Sequence, residues 1–188
     1  MNTSIDYLQI IDKYYPLNIN PLLRELLITH SRQVADFATE LIQRRGLETI
    51  INAEFVYTAA MLHDIGIKET NAHAIHCFGT QHYMLHGLIG AKLIRQFYTE
   101  AESFALVCER HIGTGLTAKE IATQQLPLPY RDYLPVTLEE KLVCYADNFF
   151  SKSDTTKFAT INDLRQKMIR YGEDCAKRLE EMIDIFGY

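Results

Sequence analysis

The sequence lacks the clusters of basic residues that are typical of proteins that bind nucleic-acid polymers. Lysine and arginine number 19 against 24 acidic residues, which gives a formal charge of −5, and no block of basic residues occurs. Because polymer binding relies on clustered cations that displace counterions from phosphates, we expect no nucleic-acid polymer as partner. An anionic small molecule stays open as a ligand if metal ions supply the positive charge.

Long apolar runs and paired cysteines are also missing. The opening MNTSIDYLQIIDKYYP lacks the cationic start and the continuous apolar run of a signal peptide. No later apolar run reaches the length of about 18 residues that a membrane span needs. We therefore expect a cytoplasmic protein without a membrane partner. The four cysteines form no CxxC pair, which favours reduced core thiols over a disulfide framework or a zinc ribbon.

Strand-like alternation, internal repeats and low-complexity tracts are absent, and what is present is a helical pattern along almost the whole chain. With 188 residues and 47% hydrophobic content, the chain can form one substantial core. The sequence therefore predicts an all-α, single-domain helical bundle over residues 1–188.

Cap residues predict where the helices begin and end. Asn20 and Pro21 open a helix that stops at Gly46, with proline at its first position and glycine after its last. Two threonine–glutamate capping boxes follow, at residues 117–120 and 137–140. Segments 68–83 and 124–135 are predicted to be loops over one end of the bundle. Further helices are predicted at 4–15, 53–64 (ending at Gly66), 86–97, 101–111, 137–147 and 162–186.

Metal-capable side chains fall on the inward faces of these helices. His30 lies four residues before Val34 and eleven before Leu41, so it shares their apolar stripe. A lone histidine on such a face is more often a core residue with its own hydrogen-bond partner than a ligand. Several such groups are satisfied together by one shared dinuclear metal centre. The same spacing places these further residues inward: His63 with Asp64 beside it, His86, His111 and Asp147.

The sequence resembles the HD-domain superfamily of metal-dependent phosphohydrolases, in the HDIG form found in small bacterial and archaeal proteins. The resemblance rests on HDIG at residues 63–66, on the order of the six metal-capable residues, and on YMLHGLIGAKLI, CERHIGTG and LEEKLVCYADNFFSK. It covers about residues 21–152 and implies a bundle core there, with the helices at 4–15 and about 162–186 packed on it.

The resemblance also implies a ligand set and an activity. His30, His63, Asp64 and Asp147 would hold one metal, and Asp64 would bridge to a second metal held by the two ligands His86 and His111. Two divalent ions of iron, manganese, zinc, nickel or cobalt suit these donors. The implied reaction is hydrolysis of a phosphate ester of a nucleotide or small phosphorylated metabolite by a metal-bound hydroxide. A diiron oxygenase and a non-catalytic nucleotide sensor are the alternatives.

The substrate contacts are predicted from the loops around this centre. Some relatives carry a lysine directly after HDIG, whereas this chain has Ile67 there and Lys68 one place later. We predict that Lys68 contacts the phosphate and acts in catalysis with Asp64. His76, His82 and Lys152 are predicted to bind substrate. A homo-oligomer stays open, since Tyr14, Tyr15, Phe149, Phe150 and Phe158 can be either interface or core.

Overall fold

The structure, a computed structural model, describes residues 5–97 and 101–187. It confirms the predicted all-α class, with one very short pair of strands beside the helices. In chain order the elements are α1 (Tyr7–Tyr14), α2 (Pro21–Arg45), α3 (Ala53–Leu62), β1 (Asn71–Ala72), β2 (Cys77–Phe78), α4 (His86–Phe97), α5 (Glu102–Arg110), α6 (Ala118–Thr123), α7 (Leu138–Asp147), α8 (Ile161–Tyr171) and α9 (Glu173–Phe186).

The long helix α2 is the element on which the bundle is built. The Asn20 side chain accepts a hydrogen bond from Leu23 N at 3.2 Å, Pro21 takes the first helical position, and Gly46 ends the helix with φ 63°. These ends agree with the prediction. Helix α2 packs against α3, α7 and α9, so its buried face meets three other helices.

One hydrophobic cluster joins α1 to α5 with α7 to α9. The four cysteines, Cys77, Cys108, Cys144 and Cys175, are free and buried, as expected for core-filling thiols. No described helix is both long and apolar enough to cross a membrane.

The carboxy-terminal helix predicted at 162–186 is wrong as a single helix. Gly172 has φ 129° and ψ 160°, a conformation that L-residues rarely adopt, and it separates α8 from α9. The two helices pack against each other. At the other end, Asp6 caps α1, so that helix begins at Tyr7, and residue 4 lies outside the described residues.

Two smaller differences concern local hydrogen bonding. The capping box at Thr117 is complete, but the one at Thr137 is only half formed. There the Glu140 carboxylate accepts a hydrogen bond from Val136 N at 2.8 Å and pairs with Arg110, instead of returning to Thr137 N. In the segment predicted as a loop at 68–83, β1 and β2 pair antiparallel, and two residues a strand are too few to show alternation in the sequence.

Candidate metal centre

The HDIG residues form a tight turn that follows α3 and is contacted by Tyr15, the residue after α1. The turn closes with a hydrogen bond from Ile65 N to Leu62 O at 3.0 Å. The buried hydroxyl of Tyr15 donates to Ile65 O at 2.7 Å and accepts from Lys68 N at 3.1 Å. The Tyr15 hydroxyl, directly after α1, therefore links the HDIG turn to the amino-terminal part of the chain.

Gly66 serves close packing rather than helix termination. Its φ is −85°, which any residue adopts, and α3 already ends at Leu62. A Cβ atom on Gly66 would lie 2.1 Å from His86 O and 2.4 Å from Gly90 N. The absence of a side chain thus lets the start of α4 rest directly on the HDIG turn, which brings His86 to Asp64.

Asp64 lies at the centre of the cluster and is fully buried. Its Oδ2 atom is 3.3 Å from His30 Nε2 and 3.1 Å from His63 Nε2. Its Oδ1 atom is 3.3 Å from His86 Nε2 and 3.5 Å from His111 Nε2. The two oxygens of one carboxylate therefore face two different pairs of imidazoles.

Asp147 completes the first of these groups from the last turn of α7. Its Oδ1 atom is 2.9 Å from His30 Nε2 and 3.3 Å from His63 Nε2. The structure thus brings all six predicted ligands together in two sets that share Asp64, although their role as ligands stays a prediction. The sets are His30, His63, Asp64 and Asp147, and Asp64, His86 and His111, each with donor atoms within 4.8 Å of one another.

Three of the imidazoles are oriented by backbone carbonyl groups. Nδ1 of His63, of His86 and of His111 lies 2.6, 2.7 and 2.8 Å from a carbonyl oxygen three residues earlier in the chain. Since a carbonyl only accepts, each Nδ1 carries the proton, and in the neutral ring the lone pair is on Nε2. The Nε2 atoms of His86 and His111 are 3.0 Å apart. Two lone pairs at this distance repel each other, and a cation bound by both atoms removes the repulsion.

The donor set fits a metal ion. His63 Nε2 and both carboxylate oxygens of Asp64 are buried and lack a well-formed hydrogen bond to a described residue. Burial without hydrogen bonds is costly, and the nearby Lys152 ammonium offsets this cost only at Asp64 Oδ2, so a cation bound between these atoms would remove the rest. Imidazole with carboxylate ligation is typical of divalent transition metals. The cluster is therefore able to hold metal.

The protonation states agree with this interpretation. Burial would raise the pKa of Asp64, but the charges of His63 and Lys152 outweigh it and hold this pKa well below its usual range. Burial lowers the pKa of His86 to about 3, so this ring is neutral. Burial alone would lower the pKa of His63, yet the Asp64 charge raises it to about 10. The centre thus attracts positive charge strongly.

Lys152 lies at the edge of the cluster, in the loop that follows α7. Its Nζ atom is 2.7 Å from Asp64 Oδ2 and 3.6 Å from Asp147 Oδ1, and its side chain is 13% exposed. Burial disfavours the charged ammonium, but the two carboxylates raise the pKa of Lys152 well above its usual value. Of the residues predicted to contact substrate, Lys152 lies beside the cluster, and its substrate-binding role stays a prediction.

Lys68 is placed elsewhere. Ile67 is fully buried, and the Lys68 ammonium donates to Tyr14 O at 2.9 Å and lies 4.7 Å from the centre of the Tyr14 ring. The carbonyl of His76 accepts from Asn20 Nδ2 at 2.9 Å, and His82 is exposed. The structure does not bring these three side chains to the cluster, so their predicted catalytic and substrate-binding roles stay predictions.

A cavity of about 900 Å³ adjoins the cluster. His86, His111, Asp147 and Lys152 are among the residues that line it. The sequence reasoning did not identify the remainder of the lining, although two aromatic residues soon after Asp147 in the chain were a signal for it. This remainder includes apolar residues, among them Met84, Leu116, Leu126, Phe150, Phe158 and Tyr171, and also the charged residues Glu120, Lys157, Asp163 and Lys167.

The chain belongs to the HD domain family. The family model matches residues 27–151, a range that contains all six metal-capable residues of the cluster and lies within the core predicted at 21–152. The six-residue centre on this helical bundle therefore belongs to an HD domain.

Known proteins similar to this chain differ in length. The uncharacterized protein MJ0778 of Methanocaldococcus jannaschii is 38% identical over 78% of this chain and 77% of its own length. Two relatives are each named tRNA (cytidine(56)-2'-O)-methyltransferase. The one from Picrophilus torridus is 33% identical over 68% of this chain, and the one from Thermoplasma volcanium is 28% identical over 84%. The match spans only 33% and 41% of those two proteins. No solved structure matches significantly.

Proposed function

We propose that this protein is a metal-dependent phosphohydrolase that cleaves a phosphate ester of a nucleotide or of another small phosphorylated metabolite. One observation carries the proposal, namely the buried cluster in which Asp64 joins two sets of metal-capable side chains. Membership in the HD domain family supports it.

Two divalent ions are proposed, one for each set of donors. Iron, manganese, zinc, nickel and cobalt all suit mixed imidazole and carboxylate ligation. When bound, such ions supply Lewis acidity and lower the pKa of water towards neutrality, as phosphate ester hydrolysis requires. In that reaction a water oxygen bonds to phosphorus, the ester P–O bond breaks, and the leaving oxygen keeps the electron pair and takes a proton.

We assign phosphate binding, orientation of the imidazole rings and exclusion of water to groups of the chain itself. Lys152 stands between the cluster and the cavity, so its ammonium can donate to a phosphoryl oxygen that enters from the cavity. The carbonyl groups that hold Nδ1 of His63, His86 and His111 fix the direction of each ring. Burial of the cluster lowers the local dielectric and strengthens these electrostatic interactions.

The size of the cavity favours a small substrate. About 900 Å³ falls in the range of roughly 300 to 1,000 Å³ that is usual for small-molecule sites. The net negative charge of the chain does not attract a polyanion. One phosphate group can still bind at the Lys152 ammonium and the metal ions.

The methyltransferase names of two relatives do not decide the activity of this chain. The match spans less than half of each of those proteins, so each contains a large part without a counterpart here. Our proposal therefore rests on the cluster and takes neither tRNA nor methyl transfer from those names.

Phosphate release by purified protein tests the proposal. The protein is loaded in turn with manganese, cobalt or anaerobic iron and assayed with a broad panel of nucleotides and sugar phosphates. We expect activity that His63→Ala and Asp64→Ala abolish. The matched control is His73→Ala, because His73 is exposed and outside the cluster. No release with any substrate, or equal rates in all four proteins, would overturn the proposal.

The same experiment separates the alternatives. A diiron oxygenase would consume oxygen, would work only with iron and would not release phosphate. A nucleotide sensor would bind a nucleotide and return it unchanged. Activity with manganese under anaerobic conditions would exclude both as the main function.

A further inference from the structure

The loop after α7, residues 148–160, folds back on itself beside the metal centre. Phe150 and Phe158 form an antiparallel bridge, and Ala159 N donates to Phe149 O at 2.8 Å. These backbone contacts close the loop around Lys152, whose ammonium reaches Asp64. One short segment thus carries a cation at the metal centre and aromatic rings along the cavity.

The ring of Phe158 is held by three other rings. It stacks on Phe149 with centroids 5.3 Å apart and planes 23° apart, and it makes edge contacts with Phe37 at 5.2 Å and with Phe150 at 5.3 Å. Phe149 and Phe37 are buried, whereas Phe158 is 40% exposed and lines the cavity. The buried rings therefore fix Phe158 in place and leave part of it open to a ligand.

The lining of the cavity combines residues of the cluster, other charged residues and apolar residues. His86, His111, Asp147 and Lys152 belong to the cluster or contact it, and Glu120, Lys157, Asp163 and Lys167 are the other charged residues. Leu116 and Leu126 on either side of α6, and Tyr171 at the end of α8, are among the apolar ones. Sugar hydroxyls can find hydrogen-bond partners in this lining, but they cannot stack on a ring. An aromatic group would lose little there and could stack on a ring.

We propose that the loop 148–160 selects phosphate esters whose leaving group carries an aromatic ring, and that Phe158 is the specificity-determining residue. The proposal that the substrate is a phosphate ester rests on the proposed function. The proposal that its leaving group is aromatic rests on the cavity and on the fixed ring of Phe158.

A pair of probes that differ mainly in the aromatic ring tests the assignment. Adenosine 5′-monophosphate and ribose 5-phosphate are compared by calorimetric affinity, with and without added manganese, and by kcat/KM. We expect the wild type to prefer the adenosine compound. Phe158→Leu should reduce that preference by roughly three- to tenfold, the value of one aromatic contact. Phe158→Tyr keeps the ring and should retain the preference. The control is Phe78→Leu, because Phe78 is 65% exposed and does not line the cavity.

The outcomes separate this inference from the proposed function. Preferential binding of the adenosine compound without hydrolysis, lost in Phe158→Leu, would support the aromatic site and contradict the hydrolase. Hydrolysis of both probes with equal affinity and equal kcat/KM would support the hydrolase and overturn the aromatic site. If Phe158→Leu does not fold, the wild-type ratio decides, since a ratio near one overturns the inference.

Discussion

Replacing Gly66 by alanine should prevent binding of the second metal ion, the one predicted at His86 and His111, and leave the first ion bound. The new Cβ atom would lie 2.1 Å from His86 O and 2.4 Å from Gly90 N, whereas ordinary contacts begin at 3.4 Å. The shortfall exceeds an ångström at His86 O, and both partners are backbone atoms that no side-chain rotation can move. Helix α4 must therefore move away from the HDIG turn and take His86 with it.

The size of the effect follows from this displacement. Overpacking of this kind costs about 1 to 3 kcal/mol of the free energy of unfolding, which lowers the melting temperature of a chain of this length by roughly 2 to 12 °C. Metal–ligand distances tolerate only about 0.2 Å. A shift of more than an ångström at His86 therefore disrupts the set formed with His111, while His30, His63 and Asp147 keep their places.

Metal content per chain, measured by mass spectrometry after equilibration at fixed free manganese, is the assay. Wild type should hold two ions and Gly66→Ala one. The control is Gly46→Ala, because Gly46 has φ 63° and a Cβ atom added there would have no described neighbouring atom within 4 Å. That change should cost about 1 to 2 kcal/mol through backbone strain alone and leave the metal content unchanged. Equal metal content in Gly66→Ala and wild type would refute the reasoning.

Three further predictions concern Tyr15, Lys152 and the metals. Tyr15→Phe removes a buried hydroxyl that bonds two backbone groups, so the free energy of unfolding in urea should fall by about 2 to 4 kcal/mol. The control is Tyr14→Phe, which removes a hydroxyl bonded to an exposed carboxylate and should change the free energy of unfolding by less than about 1 kcal/mol. Lys152→Met should lower kcat/KM on the order of 10- to 100-fold, because it removes the ammonium beside Asp64. Lys92→Met, at an exposed position of α4 that does not line the cavity, should leave kcat/KM nearly unchanged, and equal effects would contradict the assigned phosphate contact. Chelation should lower the melting temperature by roughly 5 to 11 °C for metal previously present at about a hundred times its dissociation constant, and an unchanged melting temperature would argue against a bound ion.

The parts of the site that local periodicity determines were predictable. His30 shares a helical face with Val34 and Leu41, and all three are buried in the structure. The same reasoning placed His63, His86, His111 and Asp147 inward, with Asp64 beside His63 in the chain, and the structure brings these residues together with His30. The helix ends at Asn20 and Gly46 were equally readable, because capping depends on neighbouring residues only.

Features that depend on distant elements were not predictable. Gly66 looks like a helix terminator in the sequence, and only the approach of α4 shows why it has no side chain. Gly172 lies in a segment whose apolar spacing continues through it, so the spacing predicted one helix where the structure has α8 and α9. Lys68 is close to the HDIG residues in the chain, but α1 binds its ammonium, whereas Lys152 comes from a remote loop.

Anomalous X-ray scattering from crystals of the metal-loaded protein tests the central claim most directly. Data collected at the absorption edge of the metal present should show two peaks about 3.5 to 4 Å apart, with Asp64 touching both. His30, His63 and Asp147 should surround one peak, and His86 and His111 the other. A crystal of active protein with no metal peak at these residues, or with a single ion that Asp64 does not touch, would contradict the account.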